Sequence, residues 1–508
     1  MESMNAPSGR ASEATPLLAE AGDDALTESP KLVSPVFPRK NLVTVASIMG
    51  MLALFEMASA LQSIPLNQVV EDIICRNIAG TGLPLGDCGE NTKVQAELAF
   101  LRGWQLTLDL LPGLLTAVPY GYIADKHGRK TMLVLSVVGT MLTQLIYLTV
   151  CWRSDVLPIR MTWLSSAAMF LGGGPVVLNG IIFSILADLT PEVYRSNVFL
   201  YVGASVLLGE LISSSLASTL MQTNLWLPIF IGAGLLFPVL LMSLALPETR
   251  PPVTSDLAAD SFSQDNNGHA STAGGASIPN SYGESGQQKK TAWSSVRNSL
   301  KAAGTATVFL FEVNGHVTLL LITLLTSTLG RNAQEVLLQF ARKQYDWTWA
   351  QAGYLVTLKS FVLLLLLLVL LPAASYAITR WTARTALQRD LWLTQMSCAG
   401  MLVGTAVIGL SRNPVTMITG VVLYCLGNGY TLLLRSLLAA LVEPSHLSTL
   451  LNTAGILESL GIVVAGPLLA AAFRAGLNIH FVGLPFLVAT ALFALAMVVL
   501  VLVRLPTA

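Results

Sequence analysis

Gly121-Tyr122-Ile123-Ala124-Asp125-Lys126-His127-Gly128-Arg129-Lys130 is a short charged stretch between two apolar runs, residues 104–124 and 131–151. Each run is about twenty residues long, the length an α-helix needs to cross roughly 30 Å of hydrocarbon. A link this short between two such runs makes a tight turn at a membrane surface. Its basic residues Lys126, Arg129 and Lys130 place that turn in the cytoplasm, because short loops rich in Lys and Arg are retained there.

Outward from this turn the pattern recurs. Apolar runs stand at 42–64, 104–124, 131–151, 161–187, 198–220, 226–246, 317–338, 352–372, 391–410, 414–440, 450–473 and 482–503, twelve in all. The 508 residues are 53% hydrophobic and 11% charged, against roughly 45–50% and about 25% in soluble domains, which excludes a soluble, collagenous or disulfide-scaffold protein. The 29 basic and 29 acidic residues cancel, so no overall field recruits nucleic acid. The expected fold is an all-α membrane protein with twelve transmembrane helices in two six-helix bundles. The bilayer is its first partner.

Composition sets the domain limits. Residues 1–38, rich in Ser, Pro, Ala and acidic residues, read as a disordered cytosolic tail. Residues 39–246 form the N-terminal bundle, 247–303 a flexible cytosolic linker of Ser, Gly, Asn and Gln, and 304–508 the C-terminal bundle. At the linker's end Trp293, Val296 and Leu300, with Arg297 and Lys301 interleaved on the other face, have the spacing of a helix lying along the inner surface, or are simply solvated. No signal peptide opens the chain, so insertion relies on the first span. With both termini inside, most Lys and Arg fall on the cytoplasmic side. Glu13-Ala14-Thr15-Pro16-Leu17-Leu18 fits an acidic dileucine sorting pattern, which keeps a vacuolar or endosomal membrane open beside the cell membrane.

Cys75 and Cys88 fall in the outer loop read at residues 65–102, whereas Cys151, Cys398 and Cys425 fall in or beside apolar runs. An oxidising compartment favours a Cys75–Cys88 bridge, the alternative being two thiols. Ionisable residues inside the spans are costly, about 2.5–3.5 kcal/mol each on insertion scales, and so mark cavities or partners. They are Glu56, Asp109, Glu210, Lys359, Arg435 and Glu458, with Asp188 at the inner end of span four and Arg331 and Glu335 in span seven. Glu210, with Glu56 and Glu458, is the candidate proton carrier, unless it serves only in a structural ion pair. Arg435 needs an anion, which is either Glu458 or a substrate carboxylate. Aligning Pro191-Glu192 with Glu443-Pro444 sets Gly203 on Gly455 and puts Glu210 one turn beyond Glu458, a weak internal repeat. Gly172-Gly173-Gly174-Pro175 and Gly461 to Gly466-Pro467 permit close packing and helix bending.

The stretch at Gly121–Lys130 resembles the signature loop of the major facilitator superfamily, a Gly, then Asp-basic, then Gly-Arg-basic. Gly121, Asp125, Lys126, Gly128, Arg129 and Lys130 match it. Physically, Gly121 allows close helix contact and the charges hold the loop at the inner surface. More narrowly, Pro119-Tyr120-Gly121, Tyr345-Asp346-Trp347, Leu434-Arg435-Ser436-Leu437 and Gly466-Pro467-Leu468-Leu469 resemble fungal transporters distantly similar to proton-coupled folate transporters. That resemblance implies alternating access between two bundles, proton coupling at a span-five carboxylate (Glu210), substrate and proton binding at Arg435 with Glu210 beside the substrate, and a conformational role for Asp188. Span five lacks the Gly-Pro motif of drug-exporting antiporters.

No Walker loop, His-Glu-x-x-His or Cys/His metal spacing is present, so neither a cofactor nor catalytic residues are expected. The reading is a secondary transporter of a small organic solute and protons, working as a monomer. Export of a secondary metabolite or xenobiotic is favoured over proton-coupled anion uptake and over a non-transporting sensor.

Overall fold

The computed structural model describes residues 39–79, 88–248, 315–381, 386–442 and 447–502. The tail at 1–38, most of the linker at 247–303 and its Trp293–Lys301 segment lie outside the described residues. Within them the chain is helical throughout. The first half holds α1 (Arg39–Ala79), α2 (Thr92–His127), α3 (Arg129–Trp152), α4 (Gly174–Leu189, preceded by short turns from Ile159 to Phe170), α5 (Glu192–Leu220) and α6 (Trp226–Ala245). The second half holds α7 (Gly315–Arg331), α8 (Leu337–Tyr345), α9 (Trp349–Leu365), α10 (Leu371–Trp381), α11 (Ala386–Leu410), α12 (Pro414–Leu426), α13 (Tyr430–Leu441), α14 (Leu447–Asn478) and α15 (Leu484–Leu502). Eleven described stretches are long and apolar enough to cross a membrane. The twelfth crossing is α7, whose 17 residues run through a 3-10 turn at Asn332–Val336 into α8.

Local sequence explains the helix ends. Asn91 caps α2, its side-chain oxygen accepting from the Lys93 amide at 3.0 Å. Thr348 and Gln351 form a reciprocal capping box on α9, with Thr348 N–H donating to Gln351 Oε1 at 2.9 Å. Large apolar side chains such as Leu115, Leu145, Phe237 and Val498 are exposed, as lipid-facing positions require. The first loop departs from the sequence reading. Residues 65–79, expected in an outer loop, continue α1 through Pro65 because Leu66, Val69, Val70, Ile73 and Ile74 recur at helical spacing and bury themselves in the core. A running hydropathy count misses such an extension, since its other faces are polar.

Within the first half α1 packs against α5 and α6, and within the second α11 packs against α12 and α15. The halves meet chiefly through α2 with α14 and α5 with α9. In spans these are two with eleven and five with eight, so exchanging the halves maps one joint onto the other. That is the pseudo-symmetry of two six-helix bundles.

Candidate functional site: a charged cavity between the halves

A cavity of about 460 Å³ lies between the halves, within the roughly 300–1,000 Å³ typical of small-molecule sites. Its apolar wall includes Leu98, Leu337, Leu355 and Leu469, and its charged lining is Arg102, Asp109, Glu210, Glu335 and Lys359. The 3-10 turn between α7 and α8 carries Gln334 and Glu335 to this wall.

Lys359 of α9 pairs with Glu210 of α5 at 3.1 Å, so one ion pair ties the two halves at the cavity. Glu56 of α1 stands close enough to act electrostatically on both members, and Glu335 acts on Lys359 from its own half. Beside this pair a row of hydroxyls joins α5 to α9: Ser214 and Thr357 are 2.9 Å apart. Asp109 is held in the first half, where its Oδ1 accepts from Gln105 Nε2 at 2.8 Å and Ser166 Oγ at 2.5 Å. Arg102 lies two helical turns before Asp109 on the same face of α2. Its Nε and Nη2 are buried without a hydrogen-bond partner among the described residues, as are both amide atoms of Gln334 and Oε1 of Gln105.

Toward the face that carries Cys75 and Cys88 the cavity is shut. Glu71 is 1% exposed and gathers donors from both halves: Gln95 Nε2 at 2.5 Å, Trp349 Nε1 and Arg342, whose Nε stands 3.3 Å from Oε2. Gln339 Nε2 donates to the Gln95 carbonyl at 2.6 Å. Below this, α2 and α14 touch backbone to backbone. A Cβ at Gly103 would stand 2.5 Å from the Gly466 carbonyl oxygen, so only glycine fits. Pro467 has no N–H and deprives the Val463 carbonyl of its helical donor; Thr107 Oγ1 of the other half donates to that carbonyl instead, at 2.7 Å.

The residues singled out from sequence divide between several places. Cys75 and Cys88 are joined by a disulfide with Cα atoms 5.8 Å apart. Arg435 pairs with Glu458 at 2.5 Å, and neither is among the residues lining the cavity. That pair, with the Arg435 side chain 41% exposed, is thus made within the second half, while the guanidinium that faces the cavity belongs to Arg102. In the signature loop Arg129 pairs with Asp188 at the end of α4, and its backbone N–H donates to Glu248 Oε1 at 2.9 Å. Gly128 takes a φ of 107°, which lets the chain turn between α2 and α3 beside that carboxylate. Lys126 is exposed and Lys130 half-buried; the side chain of Asp125 lies outside what the structure describes. Among the described residues no neighbouring element stands within 4 Å of where a Gly121 Cβ would be, so they show no close helix contact at that position. The α2–α14 contact is made at Gly103 instead. Sequence reading missed Glu71, Glu248 and Arg102. Glu71 and Arg102 fall within the loop expected at 65–102; for Glu71 the helical spacing from Leu66 to Ile74 is the available signal. Nothing local marks Glu248 as a cap.

The family model described as the Major Facilitator Superfamily matches residues 73–434. An MFS efflux pump of Emericella nidulans, atnC, is 31% identical over 457 residues, covering 87% of this chain and 84% of its own. The efflux pump ustT of Aspergillus flavus is 28% identical, covering 82% and 79%. Among solved structures, a D-xylose-proton symporter superposes with a TM-score of 0.59 at 13% identity, covering 91% of this chain and 97% of its own. The human organic anion transporter MFSD10 gives 0.53 at 16%, covering 91% and 99%. The structures share the fold, the sequence relatives share ancestry, and this chain belongs to the Major Facilitator Superfamily as a membrane transporter rather than an enzyme.

Proposed function

We propose that the protein exports a small organic metabolite from the cytoplasm by exchange with protons, through alternating access of its two six-helix halves, 39–246 and 304–508. The observation that carries this reading is the Glu210–Lys359 ion pair between the halves at the cavity wall. An ion pair that spans the moving joint changes strength with the charge of Glu210. Protonation of Glu210 removes the attraction and frees Lys359 for Glu335 in its own half, leaving α5 and α9 held by hydroxyl contacts. Glu56 stands beside the pair as a second acceptor for the proton; Glu458, bound to Arg435, has a structural part.

Basic residues at Lys126–Lys130 and Arg389 support a cytoplasmic position for that face and for both termini. The face bearing the disulfide is then outside, in the cell membrane. The structure is closed there, which is the arrangement in which an exporter loads from within. The names of the sequence relatives, efflux pumps, support the outward direction, despite the missing Gly-Pro motif in α5. Both halves that line the cavity belong to one chain, which supports function as a monomer.

The test is flux of candidate metabolites in proteoliposomes under an imposed pH gradient. Wild type should move solute against its gradient in exchange for protons. Glu210→Gln should retain binding and solute exchange but lose the response to the pH gradient. A gradient response that survives in Glu210→Gln would overturn the assignment, and gradient-independent flux in wild type would overturn proton coupling itself.

A further inference from the structure

Among the described residues, two charges on the cavity wall form no ion pair. Lys359 and Glu210 satisfy one another, and Asp109 receives two hydrogen bonds and lies in the field of Arg102 without forming an ion pair with it. Arg102 is left with buried nitrogens that no acceptor meets. Glu335, exposed at the cavity, forms no ion pair within 4 Å among the described residues, though it lies in the field of Lys359. A purely anionic solute would satisfy Arg102 and leave Glu335 facing it; a purely cationic one would do the reverse. Leaving the buried nitrogens of Arg102 without an acceptor is costly, and a solute without a positive group leaves the exposed Glu335 carboxylate unmatched.

We infer that the cavity takes a zwitterionic, peptide-like solute, its carboxylate received by Arg102 and its ammonium by Glu335. Gln334, adjacent to Glu335, offers a buried donor and a buried acceptor without partners, the complement of a secondary amide between the two poles. Leu98, Leu337, Leu355 and Leu469 receive apolar side chains. Arg102 belongs to the first half and Glu335 to the second, so such a solute bridges the halves and favours the state in which they close on it. This inference names the substrate class of the transport cavity and rests on that reading.

Equilibrium binding to the purified protein tests it, with leucyl-phenylalanine as the probe beside its N-acetyl derivative and its C-terminal amide. The free dipeptide should bind, and each blocked form should bind roughly tenfold or more weakly, since a site built for a charged group rejects the analogue lacking it. Arg102→Gln should erase the penalty for the amide while keeping that for the N-acetyl form, and Glu335→Gln should do the converse. Arg102→Lys, which keeps the charge, should retain part of the discrimination. Equal binding of all three probes, binding governed by one pole alone, or no binding of any to a protein with normal thermal unfolding overturns the inference. If a pH gradient still drives flux of another solute in that case, the transport reading stands without it. If probe selectivity holds while no gradient drives flux, the transport reading falls and the binding site remains.

Discussion

Neutralising Glu71 should open the face that carries the disulfide. Glu71 is 1% exposed and Arg342 15%, and removing one partner of a buried pair costs about 3–5 kcal/mol. Glu71 lies on α1 while Arg342 and Trp349 lie on α8 and α9, so the whole cost falls on the closed state. The Gln amide and incoming water recover part of it. With half recovered, about 2 kcal/mol remains, a roughly thirtyfold shift toward opening at about 1.4 kcal/mol per decade. Ser63 lines the cavity, so Ser63→Cys reports access. The free cysteines Cys151, Cys398 and Cys425 are buried and contribute little background. Labelling by a membrane-impermeant maleimide from the disulfide face should quicken about thirtyfold when Glu71→Gln is added. Replacing both Glu71 and Arg342 by Met should reverse part of that gain, because no charge is then stranded. A folded Glu71→Gln protein that labels at the parental rate would refute the latch.

Thr107→Val keeps the side-chain shape but strips Val463 of its donor, and at about 1 kcal/mol per hydrogen bond the same labelling should rise several-fold. Gly128→Ala forces a side chain into φ 107° with its Cβ 2.6 Å from the Glu248 carboxylate; about 1–3 kcal/mol of strain should appear as a lower thermal midpoint. Reducing Cys75–Cys88, which closes a separation of 13 residues, should remove about 3 kcal/mol of chain-entropy stabilisation and likewise lower the midpoint. In flux measurements Glu210→Gln should abolish the response to a pH gradient while solute exchange continues.

The architecture was legible because spans announce themselves: twenty apolar residues in a row have few soluble interpretations, and the loop at Gly121–Lys130 lies between two of them. Glu210 and Lys359 were found for the same reason, as charges where charge is expensive. Their partnership was not legible, since the two lie 149 positions apart and only the packing of α5 on α9 brings them together. Arg435 needs an anion on cost alone, Glu458 or a substrate carboxylate, and packing places Glu458 2.5 Å from it. Arg102 sits near the end of a span, where an arginine is cheap, and no local feature showed that its side chain turns inward. Glu71 was lost to a boundary error, as the polar faces of α1 beyond Pro65 dilute the hydropathy that marks the span.

The bond from Thr107 to the Val463 carbonyl has a consequence for how readily the halves part. Most joints between helices resist separation because apolar surface would be wetted. Here a backbone carbonyl orphaned by Pro467 borrows its donor across the gap, and water entering the gap supplies an equivalent one, an exchange worth only about 0.5–1.5 kcal/mol. The glycine pair beside it admits one alignment of α2 on α14 and no other. The joint therefore combines a weak bond with a strict register, like a vernier that slides freely yet reads correctly whenever it comes to rest.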